Sequence, residues 1–95
     1  MKLLSVKPAT SKTKKYTATF LLKNGKEKKV SFGAKGYTDF TLSKDEERKE
    51  RYLNRHRSRE NWNDPLSAGA LSRWILWNKK TLKASIMDFK RRFKL

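Results

Sequence analysis

Residues 16–34, YTATFLLKNGKEKKVSFGA, decide the architecture. Tyr16, Ala18, Phe20 and Leu22 alternate with Thr17, Thr19 and Leu21, and Val30, Phe32 and Ala34 alternate with Lys29, Ser31 and Gly33. A period of two sends alternate side chains to opposite faces of a strand, and Asn24-Gly25 between the runs is a hairpin signal. The apolar positions of both strands are even-numbered. A two-residue loop at 24–25 would pair even with odd positions and put the two apolar sets on opposite faces, so the loop must hold an odd number of residues. A three-residue loop, Lys23-Asn24-Gly25, with Gly25 in the left-handed conformation as a bulge, meets that condition. It sets Tyr16 opposite Phe32 and Ala18 opposite Val30.

Outward from the hairpin, residues 2–7 read as a short first strand and Pro8–Lys14 as a polar loop. Gly33 and Gly36 bracket a break, after which Tyr37–Leu42 reads as an extended link or edge strand. Ser43-Lys44-Asp45-Glu46 has the spacing of a capping box and predicts a helix to about Asn61. Its acidic first turn and basic last turn suit the helix dipole, and Glu47 stands four residues before Arg51 for an ion pair. Asp64 as N-cap with Pro65 at the first helical position predicts a second helix over 65–77. Its stripe is Leu66, Ala70, Leu71, Trp74 and Ile75, the most apolar stretch, expected at the centre. Thr81 caps a third helix whose Leu82, Ile86, Phe89 and Phe93 share one face. The expected fold is α+β: an N-terminal antiparallel hairpin or three-stranded sheet (1–42), then three α-helices (43–95), in a single small basic domain.

The chain has 25 Lys and Arg against 9 Asp and Glu, a net charge of +16 in 95 residues. Residues 1–35 hold ten lysines against Glu27 alone, residues 36–78 are nearly balanced, and residues 79–95 set seven basic side chains against Asp88. A surplus of this size costs self-repulsion unless an anionic partner or salt screens it. The 11 aromatic residues (Trp 3, Tyr 3, Phe 5) offset a hydrophobic share of only 36%, so a folded body is expected. There is no cysteine, which excludes disulfides and thiolate metal sites. No apolar run approaches the roughly 20 residues of a membrane span, so the expected location is intracellular.

The residues offer little to an enzyme. Nucleophilic catalysis needs a base in reach of a nucleophile, and the one histidine, His56, sits between Arg55 and Arg57 and reads as a half-buried helix residue. Asp45, Glu46, Glu47 and Glu50 read as helix-start charges, not metal ligands. Gly33-Ala34-Lys35-Gly36 lacks the pattern of a phosphate loop. No catalytic residue, metal or cofactor is expected.

The cationic residues carry the functional signal. Lys12, Lys14, Lys15, Lys26, Lys28 and Lys29 fall on or near the hairpin. Arg48, Arg51, Arg55 and Arg59 recur every three or four residues, as a ladder on one side of the first helix, and Lys90, Arg91, Arg92 and Lys94 end the chain. Such side chains bind phosphates through charge and counterion release, without choosing sequence. Trp62 and Trp77 are the candidate aromatic contacts to unpaired bases.

Three runs, FGAKGYTDFT (32–41), ENWNDPLSAGALSRWILWNK (60–79) and SIMDFKRRF (85–93), together resemble an uncharacterised family of small basic proteins encoded by large DNA viruses of algae and amoebae. The resemblance covers about residues 32–95, assigns no site residue, and implies a viral origin and a place in the particle. The expectation is a non-enzymatic viral protein that binds nucleic acid, DNA before RNA, non-specifically through these Lys and Arg surfaces. The alternative is a minor capsid or core protein that packs against acidic viral structural proteins.

Overall fold

The computed structural model describes residues 1–95. Strands β1 (Lys2–Pro8), β2 (Lys14–Leu21) and β3 (Glu27–Ala34) form an antiparallel sheet in the order β1-β2-β3, and helices follow, so the chain is α+β. Tyr16 pairs with Phe32 and Ala18 with Val30. The Leu22 N–H donates to the Lys26 carbonyl at 2.8 Å, the Gly25 N–H donates to the Leu22 carbonyl at 3.0 Å, and Gly25 has φ +83°. The even–even register is thus met by a three-residue loop. Both strands outrun their apolar patterns. Lys14, Lys15, Glu27 and Lys28 stand outside the apolar alternation, yet they lie within the strands, where the backbone finds its hydrogen bonds.

β1 joins through a register shift between Leu3 and Ser5, which leaves Leu4 extra and exposed. The bulge reverses parity. Odd-numbered Leu3 therefore stands beside Phe20, and even-numbered Val6 beside Ala18, on the same core-facing side. The other face carries Ser5, Lys7, Thr17, Thr19, Lys29 and Ser31 and is open to solvent.

Four helical elements stand where three were expected: α1 (Phe40–Ser43), α2 (Glu46–His56), α3 (Ala68–Leu71), which runs on into a π-helical turn at Ser72–Leu76, and α4 (Leu82–Phe93). Residues 37–42 are not an extended link. Buried Asp39 N-caps α1 by accepting from the Thr41 N–H at 2.9 Å, which turns Phe40 into the core. Lys44, at φ +53°, then breaks the chain before α2. For that reason Ser43 is not the cap of the arginine-bearing helix. Asp45 is, with Oδ1 accepting from the Glu47 and Arg48 N–H groups at 3.0 and 3.2 Å, and its charge suits a helix N-terminus better than a hydroxyl does.

α2 also stops at His56 instead of near Asn61, with the Arg59 N–H turning back to the His56 carbonyl at 3.0 Å. Asp64-Pro65 makes a turn, not a helix start. Asp64 Oδ1 accepts from the Leu66 N–H at 3.0 Å, and Ser67 becomes the cap, its hydroxyl accepting from the Ala70 N–H at 3.1 Å. α4 begins as its sequence predicts, with Thr81 Oγ1 accepting from the Ala84 N–H at 3.1 Å.

One cluster of 12 buried side chains joins the layers, including Phe20 and Phe32 from the sheet, Leu71 and Ile75 from the central helical segment and Phe89 from α4. The link between the last two helical elements is pinned to α4. Asn78 Nδ2 donates to buried Asp88 at 2.6 Å, and Ser85 Oγ accepts from the Lys79 N–H at 3.0 Å. No helix is long and apolar enough to cross a membrane.

Candidate functional site

Where β2 begins and β3 ends, the sheet edge, α2 and α3 leave an open cleft of about 570 Å³. Two devices shape it. Gly33 has φ +81°, a conformation that favours glycine, and a Cβ there would stand 2.8 Å from Leu76 Cδ1, so the central helix packs closely on the strand at this point. Asp39 accepts from Lys15 Nζ at 2.6 Å and ties the loop before α1 to β2.

One wall is the exposed side of α2. Arg48, Arg51 and Arg55 fall three and four residues apart, which aligns them on one helix face, and all three line the cleft with Lys14 and Lys15. The expected pair between Glu47 and Arg51 does not form. Of the 25 Lys and Arg side chains, only Lys15, Arg91 and Arg92 bond to a carboxylate. The cleft's two carboxylates, Asp39 and Glu60, are already engaged. Asp39 holds Lys15 and caps α1. Glu60 accepts from Trp62 Nε1 at 2.9 Å and bonds His56 Nδ1 at 3.1 Å. Arg48, Arg51, Arg55 and Lys14 are therefore exposed cations with no partner in the protein.

The inner side of α2 supplies two rings, Tyr52 and His56, that stack with Trp77 from the end of the central helical segment. Tyr52 stacks on Trp77 at 4.3 Å between centroids with 8° between planes, and on His56 at 4.2 Å and 23°. Trp77 and Tyr52 are buried, whereas a third of the His56 side chain is exposed. Burial, with the charge of Glu60 nearby, pushes the Tyr52 phenol well above its ordinary 10.0, so it stays a neutral ring. Tyr37 lines the same cleft and is 74% exposed.

The remaining predicted site residues lie elsewhere. Arg59 is past the end of α2 and outside the cleft. Lys12 is exposed on the β1–β2 loop. Lys26, Lys28 and Lys29 belong to the other end of the hairpin. Phe20, the partner of Lys28, is six residues from Lys14, roughly 20 Å along a strand.

Lys90 and Lys94 are exposed near the end of α4, while Arg91 and Arg92 bond Asp88, and Arg92 lies 3.7 Å over the Trp74 ring. Trp62 is half-buried with the Arg73 guanidinium over it at 5.4 Å, and Trp77 is the floor of the ring stack. Tyr37, Tyr52 and Glu60 entered no sequence argument for a site. The signal for two of them is the four-residue spacing of Tyr52, His56 and Glu60. No group of three or more His, Asp or Glu stands close enough to hold a metal ion.

Fold and cleft together define a small α+β domain built around one cationic, aromatic-floored groove. The chain belongs to a family of unknown function (DUF5754), whose model matches residues 4–56. That span takes in the sheet from Leu4 of β1 onward, α1 and α2, and with them the arginine wall and His56. No curated protein and no solved structure matches the chain.

Proposed function

We propose that this chain is a non-enzymatic protein that binds nucleic acid non-specifically, with DNA as the expected polymer, by gripping its phosphates in the cleft. The observation that carries the reading is the meeting of Arg48, Arg51, Arg55 and Lys14 on one groove whose two lining carboxylates, Asp39 and Glu60, are already bonded within the protein. Exposed, unpaired guanidinium groups keep their bidentate donors for phosphate. That the protein is viral and carried in a particle belongs to the same proposal and draws its support from the sequence resemblance. The alternative, packing against acidic capsid subunits, calls for an exposed apolar patch around Trp62 and Trp77. Trp77 is buried and Trp62 lies under Arg73, which favours the nucleic-acid reading.

The test is a salt titration of binding to a labelled oligonucleotide, followed by fluorescence anisotropy. Four phosphate contacts on a single strand give a slope of about −2.8 for log K against log salt concentration. No binding at low salt ends the proposal.

A further inference from the structure

The cleft also says which form of nucleic acid it takes. This step rests on the reading just proposed and deepens it. We infer that the cleft binds an unpaired nucleotide of a single strand, with its base stacked on the outer face of His56 and its flanking phosphates on the α2 arginines.

Size comes first. At about 570 Å³ the cleft has the capacity of a pocket for one small organic ligand. A duplex is read by convex elements that enter its grooves, and a concave site of this volume admits no base that is still paired.

The floor comes second. Trp77, Tyr52 and His56 form a stack already ordered in the protein, and its top ring is the only one that is not buried. The bond from His56 Nδ1 to Glu60 fixes the plane of that ring, and Glu60 is itself wedged against Gly69, where a Cβ would meet its Cδ at 3.0 Å. A base laid on His56 extends the stack without ordering any side chain, which spares the entropy that binding otherwise costs. Every base has a π-face, so this contact is blind to sequence. Tyr37 on the same cleft is the most exposed aromatic ring in the protein and supplies a second stacking surface.

The arginines come third. Seven residues separate Arg48 from Arg55 on α2, about 10 Å at 1.5 Å per residue. That ladder matches a short stretch of one backbone, not the roughly 34 Å turn of a duplex.

The experiment compares a labelled oligothymidylate, the same strand annealed to its complement, and an RNA strand of equal length at one salt concentration. Either single strand is expected to bind at least tenfold tighter than the duplex. Tyr37→Ala and His56→Ala each weaken single-strand binding about fivefold or more, the size of a lost base stack, and leave duplex binding unchanged. His56→Phe, which keeps a flat ring, restores most of the loss. Equal affinity for duplex and single strand, or unchanged affinity in both alanine variants, overturns the inference and leaves the phosphate-binding reading standing. Absence of binding to all three polymers overturns both.

Discussion

Replacing Arg51 and Arg55 together by glutamine removes two neighbouring guanidinium groups from the cleft wall and nothing else. Both are exposed, neither bonds a carboxylate, and glutamine propagates a helix about as well as arginine, so the far-ultraviolet circular dichroism and the urea midpoint should hold. The expected loss follows from the setting. An ion contact at about 4 Å in a water-like dielectric is worth about 1 kcal/mol, so two amount to about 2 kcal/mol, or roughly 30-fold in affinity at low salt. Salt provides the sharper reading. Each phosphate contact on a single strand contributes about 0.7 to the slope, so the double variant should fall from a slope of about −2.8 to about −1.4. The two titrations converge as salt rises. The control is Lys26→Gln with Lys28→Gln, which removes the same charge at the far end of the hairpin. If that pair costs as much affinity and slope as the arginine pair, the surplus charge acts as a diffuse cloud and the cleft is not the site.

Two further outcomes test the frame that holds the cleft. Gly33→Ala forces a Cβ to 2.8 Å from Leu76 Cδ1 at a backbone with φ +81°; such strain costs about 1–3 kcal/mol, so the melting temperature should fall by roughly 5 °C or more, and an unchanged melt would mean that β3 and the central helix are not in contact there. Burial alone would raise the Asp88 carboxyl, but hydrogen bonds from Asn78 and Arg91 and the charge of Arg92 outweigh it and hold it below the ordinary 3.8. The folded state therefore binds that proton less tightly than the unfolded chain. The stability the carboxylate contributes is complete above the ordinary value and drains away as pH falls below about 4. Urea midpoints measured from neutral to acidic pH should drop in that range, and Asp88→Asn should lower the neutral midpoint and flatten the drop; an equally steep acid limb in the variant would assign it to other carboxylates.

The loop and register of the hairpin were legible to the residue, though its strand ends were not, because the two constraints on the loop are local and discrete. Even–even apolar parity leaves no choice but an odd loop, and glycine is the residue that fills the left-handed position. The caps were less legible because caps compete. Ser43 and Asp45 stand two residues apart, and Asp64 and Ser67 three, and either member of each pair could open a helix on chemistry alone. Long-range events decide between them: Asp39 drawn in to Lys15 folds residues 40–43 into a turn that spends Ser43, and the Asp64 turn uses up the first cap of the central helix. The β1 bulge left no mark at all, since Leu3, Leu4 and Val6 are all apolar and either Leu3 or Leu4 could have faced the core.

The site was half legible for a related reason. Period fixes which arginines share a helix face but not where the helix ends, so Arg59 drops out of the ladder once α2 stops at His56. Charge fixes how many cations need a partner but not which of them find one inside the protein. Arg91 and Arg92 are spent on Asp88, while Arg48, Arg51 and Arg55 find none: Asp39 and Glu60 in the cleft are committed elsewhere, and Glu47 does not close on Arg51. Lys14 reaches the same groove from β2, where it pairs with Ala34 beside Gly33, next to the Lys15 that Asp39 holds. A single +16 surplus thus divides into cations that hold the fold, cations spread over the sheet, and one group left facing a cleft. That last group is the one set beside the Trp77–Tyr52–His56 stack in the cleft, and on the proposed reading this is what would let it tell one polyanion from another.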